Sequence, residues 1–294
     1  GETSFVNTEN ANSLVGDGRE LDLLFQFDLM DMDGEGSKWN AIPLDVPKLK
    51  RIVAAWQGAI DWNTLFLGNH DQPRVVSRFG DTSSEELWKR SAKCLATLMY
   101  LQRGTPFIYQ GEELGMTNAP FETREQLRDV EELNLLALCS SEAELEWAWR
   151  GIKAKGRDNA RTPMQWSAGE NADFTTGEPW IMLNPNYTDI NAEAEEGDPD
   201  SVLNYYRALI ALRNSTPALL RGDWRELLPE SGQVVAYTRG LDGEEYAVLC
   251  NLSRESAPLP CRLGDFGEPV LSNMPADPAA ETLRPYEAQV LKKG

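Results

Sequence analysis

Asn63-Thr64-Leu65-Phe66-Leu67-Gly68-Asn69-His70-Asp71-Gln72-Pro73-Arg74 is the stretch from which the fold of this chain is read. Thr64 to Leu67 are β-branched or apolar and read as a short buried strand. The run then turns to an amide, an imidazole, a carboxylate, a proline and a guanidinium. In a parallel α/β barrel, the residues just past a strand's C-terminal end line the active face. Position alone therefore makes His70 and Asp71 site candidates. The same residues also fit a polar strand-to-loop turn that caps the next segment. His70 is the only histidine in the chain, so a site of several His ligands is excluded and any His-dependent step must use this one.

The neighbours of this stretch repeat a pattern. Upstream, Leu21 to Asp28 reads as a strand, followed by the acidic, glycine-punctuated loop Leu29-Met30-Asp31-Met32-Asp33-Gly34. Asp45 is the expected N-cap of a helix with Pro47 in its first turn. Leu49, Ile52, Val53, Trp56 and Ile60 then recur at helical spacing as one apolar stripe. Strand, helix and strand make one right-handed barrel crossover. Downstream, Ser83 with Glu86 predicts a capping box opening a helix with Trp88, Ala92, Leu95, Leu98 and Met99 on one face. Gly104 is expected to end that helix, and Pro106 to Gln110 to form the next strand, whose end carries Glu112 and Glu113.

Residues 117–198 break the repeat with a long excursion. It holds a second capping box, Thr123 with Gln126, a pair of tryptophans, Trp147 and Trp149, and the loop Arg157 to Trp166. Asp200 is expected to begin the last barrel helix, with Leu203, Tyr206, Leu209 and Ile210 on one face and Pro217 after it. Beyond Gly222 the pattern changes to short β-type runs: Gln233 to Thr238, Tyr246 to Leu252 and Ala288 to Leu291, with Asp242-Gly243 as a hairpin turn. The fold class is α/β: the C-terminal part of a (β/α)8 TIM barrel over residues 1–221, followed by a small antiparallel β-sandwich domain over residues 222–294.

Composition excludes several functions. The chain has 47 acidic against 28 basic residues, a net charge of −19, which disfavours nucleic acid and anionic membrane surfaces and suits a neutral substrate. No apolar run approaches a membrane span in length. Cys94, Cys139, Cys250 and Cys261 have no C-x-x-C spacing, and with one histidine there is no zinc pattern. Scattered cysteines of this kind fit reduced, mostly buried thiols and a cytoplasmic location.

Asn69-His70-Asp71-Gln72-Pro73-Arg74 resembles the fourth signature region of the α-amylase superfamily of glycoside hydrolases, in its oligo-1,6-glucosidase and α-glucosidase branch. Three further stretches carry the resemblance in the same order: Gly104 to Asn118, Gly156 to Trp166 and Phe174 to Trp180. Gly1-Glu2 falls where that family has the Gly-Glu of its third region. The resemblance implies that Glu2 is the general acid/base and Asp71 the carboxylate that holds glucose hydroxyls. It also implies that His70 and Arg157 contact substrate. Arg161 is read as a structural ion-pair partner, and Glu112 and Glu113 as supporting groups.

The family's nucleophilic Asp lies upstream of its third region. The chain is therefore expected to begin in mid-barrel, to need the N-terminal half of the barrel as its partner and to be inactive and poorly soluble alone. No cofactor is implied in this part, although a structural calcium in the other half fits the family. The expected substrate is a short α-1,6- or α-1,4-linked glucoside. Two alternatives stay open. One is a sucrose isomerase of the same superfamily, against which stand the Leu29–Asp33 loop, where those enzymes are Arg-rich, and Gln72. The other is the non-catalytic ectodomain of transporter heavy chains, against which stands the presence of Glu2, His70 and Asp71.

Overall fold

The computed structural model describes residues 1–16, 19–259, 263–275, 277 and 280–294. Its first layer is built on α1 (Val46–Ala59), β1 (Asn63–Leu65), α2 (Val75–Phe79), α3 (Glu85–Tyr100) and β2 (Gly104–Pro106). Asp45 caps α1, its side chain accepting from Lys48 N, and Pro47 sits in the first turn. The stripe Leu49, Val53 and Trp56 is buried. β1 pairs with β2 in parallel, Asn63 opposite Gly104 and Leu65 opposite Pro106, and α3 is the crossover between them.

Boundaries differ from the sequence reading where hydrogen-bond partners decide. Ser84 rather than Ser83 caps α3, because its side chain is the one that accepts from Leu87 N. Gly104 does not end α3, which stops at Tyr100; it opens β2 with φ +151°, and a Cβ there would stand 2.3 Å from Asn63 O. The close approach of two parallel strands thus requires glycine. The expected strand Leu21–Asp28 reduces to single bridges, Glu2 with Phe25 and Val15 with Leu21. A ladder needs several paired residues, and the chain turns away at once after Glu2, with Val6 N bonded back to Thr3 O. Phe25 N still donates to Gly1 O at 2.8 Å, and Thr64 Oγ1 donates to Leu24 O at 2.7 Å. Residues 1–2, 24–25, 63–65 and 104–106 therefore lie side by side, with the Phe25 ring set edge-on against Phe66 and Phe107.

The excursion contributes α4 (Val130–Leu138), α5 (Glu142–Lys155), α6 (Asp158–Arg161) and α7 (Ala192–Gly197). The Thr123–Gln126 capping box is present, on a single 3-10 turn. α8 (Val202–Ser215) is capped by Ser201, not Asp200; Asp200 instead receives the buried Lys93 ammonium at 2.7 Å. Pro217 starts a further short helix, α9 (Pro217–Arg221).

Then follow β3 (Asp223–Leu227), β4 (Val234–Leu241), β5 (Glu244–Asn251), β6 (Ala257–Pro258), β7 (Phe266–Ser272), β8 (Thr282–Leu283) and β9 (Ala288–Lys293). Five of them form an antiparallel sheet in the order β3-β4-β5-β9-β7, and β6 pairs with β8 as a second layer. Asp242 and Gly243 turn the β4–β5 hairpin with φ +51° and +89°, as a type I′ turn demands. β4 and β5 are buried on both faces, and strand alternation sends them into two cores. Val235, Tyr237, Val248 and Cys250 join the large core with α3, while Val234, Ala236, Ala247 and Leu249 meet Ala257 and Leu283 of the small ladder. Cys94 and Cys250 are free and buried and Cys139 is free and half-buried; Cys261 lies outside the described residues.

Two arginines seal the layers together. Arg213 donates to Tyr100 O, Gln102 O and Gly104 O, and Arg239 to Leu101 O, Leu219 O and Gly222 O. Arg239 is fully buried and has only carbonyls as partners, so its charge is tolerated through hydrogen bonds alone. Arg239→Met is expected to strand these carbonyls and destabilise the protein by about 3 kcal/mol, at roughly 1 kcal/mol per orphaned acceptor. Urea midpoints of wild type and variant check it, and an unchanged midpoint would mean that water replaces the guanidinium without cost.

Candidate active site

The end of β1 builds the site. Leu65 to Gly68 are buried, and the chain emerges at Asn69. Asn69 Oδ1 accepts from Asp71 N at 2.8 Å, an Asx turn that fixes the Asp71 backbone. Arg74 then caps α2 with its side chain buried. Its guanidinium donates to Gln110 O, Asn159 O and Thr162 O, so one side chain binds the β1 loop to the β2 loop and to the 157–162 loop. Burial pushes its pKa down to about 10, against the opposing pull of Tyr109, Glu113 and Glu112.

Asp71 is half-buried and gripped from one side. Its Oδ1 accepts from Arg161 at 2.8 Å and lies 3.4 Å from Arg157 Nη1. Both arginines also hold Asp129: Arg157 at 2.9 and 3.1 Å, Arg161 at 2.5 Å. Arg161 Nε additionally donates to His70 O at 3.0 Å. Two carboxylates and two guanidiniums thus form a closed box, with Asp129 at its buried corner as the N-cap of α4. Burial acts to raise the Asp129 carboxyl, but Arg157, the Glu131 N–H and Arg161 outweigh it and hold it below the ordinary range. For Arg157, partial burial opposes the charge, while Asp129, Asp71 and Glu131 raise its pKa.

The four sequence-predicted site residues are not equally close. His70, which is exposed, places Nε2 3.4 Å from Asp71 Oδ2, and Arg157 meets Asp71 on the other oxygen. Glu2 is exposed and lines a cleft of about 160 Å³ with Phe25, Phe27, Met30, Asn69 and His70. His70 is the link between that cleft and the box.

Sequence reading missed Asp129. It follows the excursion's capping box, far from Asp71 along the chain, and its only local signal was an Asp before a helix. Arg161, read as a structural partner, bonds Asp71 at the shorter distance of the two arginines. The loop Leu29–Gly34, read only as acidic, buries Asp33 beneath a fork from Arg78 and a bond from Lys155. Glu112 is buried below the site, where Tyr100 and Tyr206 donate to Oε1. Burial raises it to about 7, against the lowering effect of those two hydroxyls. Gly111, at φ +86°, makes the turn that delivers Glu112; a Cβ there would meet Met116 Sδ at 2.4 Å. Among the described residues no group of three or more His, Cys, Asp or Glu is placed to hold a metal ion. No described helix is long and apolar enough to cross a membrane.

Parallel strands joined through helices, a polar site at their C-terminal ends and an antiparallel sheet behind them define the α/β-barrel class. Within it, this chain belongs to the α-amylase family: the family described as "Alpha amylase, catalytic domain" matches residues 1–222. It is 42% identical to the "Probable oligo-1,6-glucosidase 2" of Bacillus subtilis (strain 168), over 99% of this chain and 54% of that protein. Among solved structures, the trehalose-6-phosphate hydrolase of Bacillus licheniformis superposes with a TM-score of 0.91 at 38% identity, over 99% of this chain and 55% of that one. The trehalulose synthase of Pseudomonas mesoacidophila MX-45 superposes with a TM-score of 0.83 at 41% identity, over 93% of this chain and 51% of that one. The chain spans about half the length of the relatives it matches.

Asp129→Asn is expected to release both arginines and cost about 3 kcal/mol, the lower end for breaking a buried pair, because the guanidiniums keep some exposure. Combined with Arg161→Ala it should cost less than the sum, with a coupling of roughly 1–3 kcal/mol. Denaturation of the two single variants and the double variant measures this. Additive losses would show that the box does not act as a unit.

Proposed function

We propose that this chain supplies the acid/base and sugar-holding residues of a retaining α-glucosidase that releases terminal glucose from short α-1,6- or α-1,4-linked oligosaccharides. The observation that carries the reading is Asp71, aimed from the end of β1 and clamped on one oxygen by Arg157 and Arg161, with His70 on its other side. A carboxylate fixed in this way is preorganised to accept hydroxyl protons from a bound sugar and to favour its oxocarbenium-like form. His70 and Arg157 donate to hydroxyls of the same glucose unit. Glu2, at the mouth of the cleft that His70 also lines, protonates the leaving oxygen and later activates water. Retaining hydrolysis needs a second carboxyl about 5–5.5 Å from the acid. In this reading it comes from a segment outside residues 1–294, so these residues alone do not turn over substrate. The enzyme is cytoplasmic and needs no cofactor in this part.

In the enzyme that contains this chain, Asp71→Asn should lower kcat by at least about 10²-fold, as for other lost preorganised transition-state contacts. The melting temperature should stay within a few degrees. Turnover is followed on p-nitrophenyl α-glucoside, isomaltose and maltose, with sucrose and trehalose 6-phosphate as competing substrates. Near-wild-type kcat in the variant would remove Asp71 from the site. Isomerised disaccharide from sucrose as the main product would favour the isomerase alternative.

A further inference from the structure

Behind the Asp129–arginine box lie two carboxyls that no substrate contact explains. Glu132 in the first turn of α4 and Asp158 at the start of α6 are both fully buried. They are joined through the backbone: Asp158 N donates to Glu132 Oε1 at 3.0 Å. Asp158 Oδ2 in turn accepts from Arg128 N at 2.6 Å and Asp129 N at 3.0 Å. Each carboxyl has one oxygen left over. Glu132 Oε2 and Asp158 Oδ1 are buried and have no hydrogen-bond partner in the protein. Two adjacent buried carboxylates with an unmet acceptor each would be costly. A proton on one of the two removes a charge and makes that carboxyl a donor as well as an acceptor.

We propose that Glu132 is a positioning residue: its carboxyl carries a proton that it donates to Asp158 Oδ1, and this clasp sets Arg157 and Asp129 around Asp71. The proton belongs on Glu132 because Asp158 Oδ2 already accepts two backbone N–H groups while Glu132 accepts one. The clasp holds residues 128–129 against residue 158, the neighbour of Arg157. Close packing is built in, since a Cβ on Gly156 would stand 2.6 Å from Glu132 Oε1.

The charged groups around Glu132 agree. Burial raises its carboxyl to about 8; the Asp158 N–H and Lys38 pull down, while Asp158 and Asp129 push up. Lys38 bonds Glu131, Arg157 is taken by Asp129, and Lys155, from the packed α5, bonds Asp33. No cation in these bonds is free to neutralise the pair. The sign follows from the raised value. The unfolded chain releases this proton near pH 4.3, so the stability due to it is full below that and is lost as pH rises towards about 8.

The inference rests on the α-glucosidase reading for its effect on turnover, but not for its spectroscopic arm. In the enzyme containing this chain, the infrared difference between wild type and Glu132→Gln at pH 6.5 should contain the carbonyl band of a protonated carboxylic acid. That band should titrate away between about pH 7 and 9. Gln mimics the protonated acid, so this variant should keep wild-type kcat and lose the alkaline fall in kcat/KM. Its melting temperature, minus that of wild type, should grow with pH up to about 8 and then level off. Glu132→Ala should lower kcat at every pH. Asp158→Asn offers an amide donor from the other side and should shift the titration of the band below neutral pH. This arm decides the matter if Glu132→Gln does not fold. Absence of the band, or a titration unmoved in Asp158→Asn, overturns the clasp whether or not the enzyme cleaves glucosides. An enzyme that shows the band but cleaves no glucoside keeps the clasp and loses the proposed function.

Discussion

The site depends on one buried guanidinium. Arg74 is nearly inaccessible; its donors are spent on Gln110 O, Asn159 O and Thr162 O, with Thr162 Oγ1 as a further acceptor, while Glu113 and Glu112 act on its charge without bonding it. Those acceptors belong to the loop after β2 and the loop that carries Arg157 and Arg161. A planar fork with five donors can satisfy three carbonyls on two separate backbone segments at once, which an ammonium on a flexible stem cannot do with the same geometry. The cost is a desolvated charge, visible in the lowered pKa. Its consequence is that β1, β2 and the 157–162 loop cannot move independently, and Asp71 is three residues from the point where they are tied.

Once those loops are fixed, the Asp71–Asp129–Arg157–Arg161 box becomes self-consistent. Ion pairs in a protein interior rarely repay their desolvation unless every lone pair and donor is used. Here Asp129 uses both oxygens on arginines and one on the α4 N-terminus. Only Asp71 Oδ2 is left towards His70 and the cleft. The arrangement leaves one acceptor exposed on a carboxylate whose position is otherwise determined. A carboxylate held in this way is preorganised to accept hydrogen bonds at its open oxygen.

Much of the architecture was legible because it rests on local chemistry. Asp45 and Pro47 mark the start of α1, Asp242-Gly243 dictates a I′ turn, and the buried run after Asn63 could only be a strand or its end. The failures share one cause. Leu21–Asp28 has strand composition, but composition does not supply a ladder partner, and the segment forms single bridges. Asp33 was read only as part of an acidic, glycine-punctuated loop, yet Arg78 and Lys155 close over it. Asp129 and Glu132 drew no reading from the sequence at all. Their roles come from Arg157, Arg161 and Asp158, which only tertiary folding brings near. The candidate residues at the end of β1 were visible because several chemical types crowd into one short stretch; the residues that steer them are scattered.

The appended sheet belongs in the same chain of causes. β4 and β5 present Val235, Tyr237, Val248 and Cys250 to α3, and Tyr237 donates its hydroxyl to Leu98 O at 3.0 Å within that helix. Cys94 lies against Asn251 O from the helix side. α3 is the crossover between β1 and β2, and the sheet packs on it through these side chains. Arg213 and Arg239 complete the joint by occupying the carbonyls released where α3 ends and β2 begins. Glu112 follows β2 by a few residues, and it reaches Tyr100 of α3 and Tyr206 of α8 in one buried cluster. The sheet is thus mechanically part of the barrel face: it fixes the helix whose strands carry Asn69 to Asp71 at one end and Gly111 to Glu113 at the other.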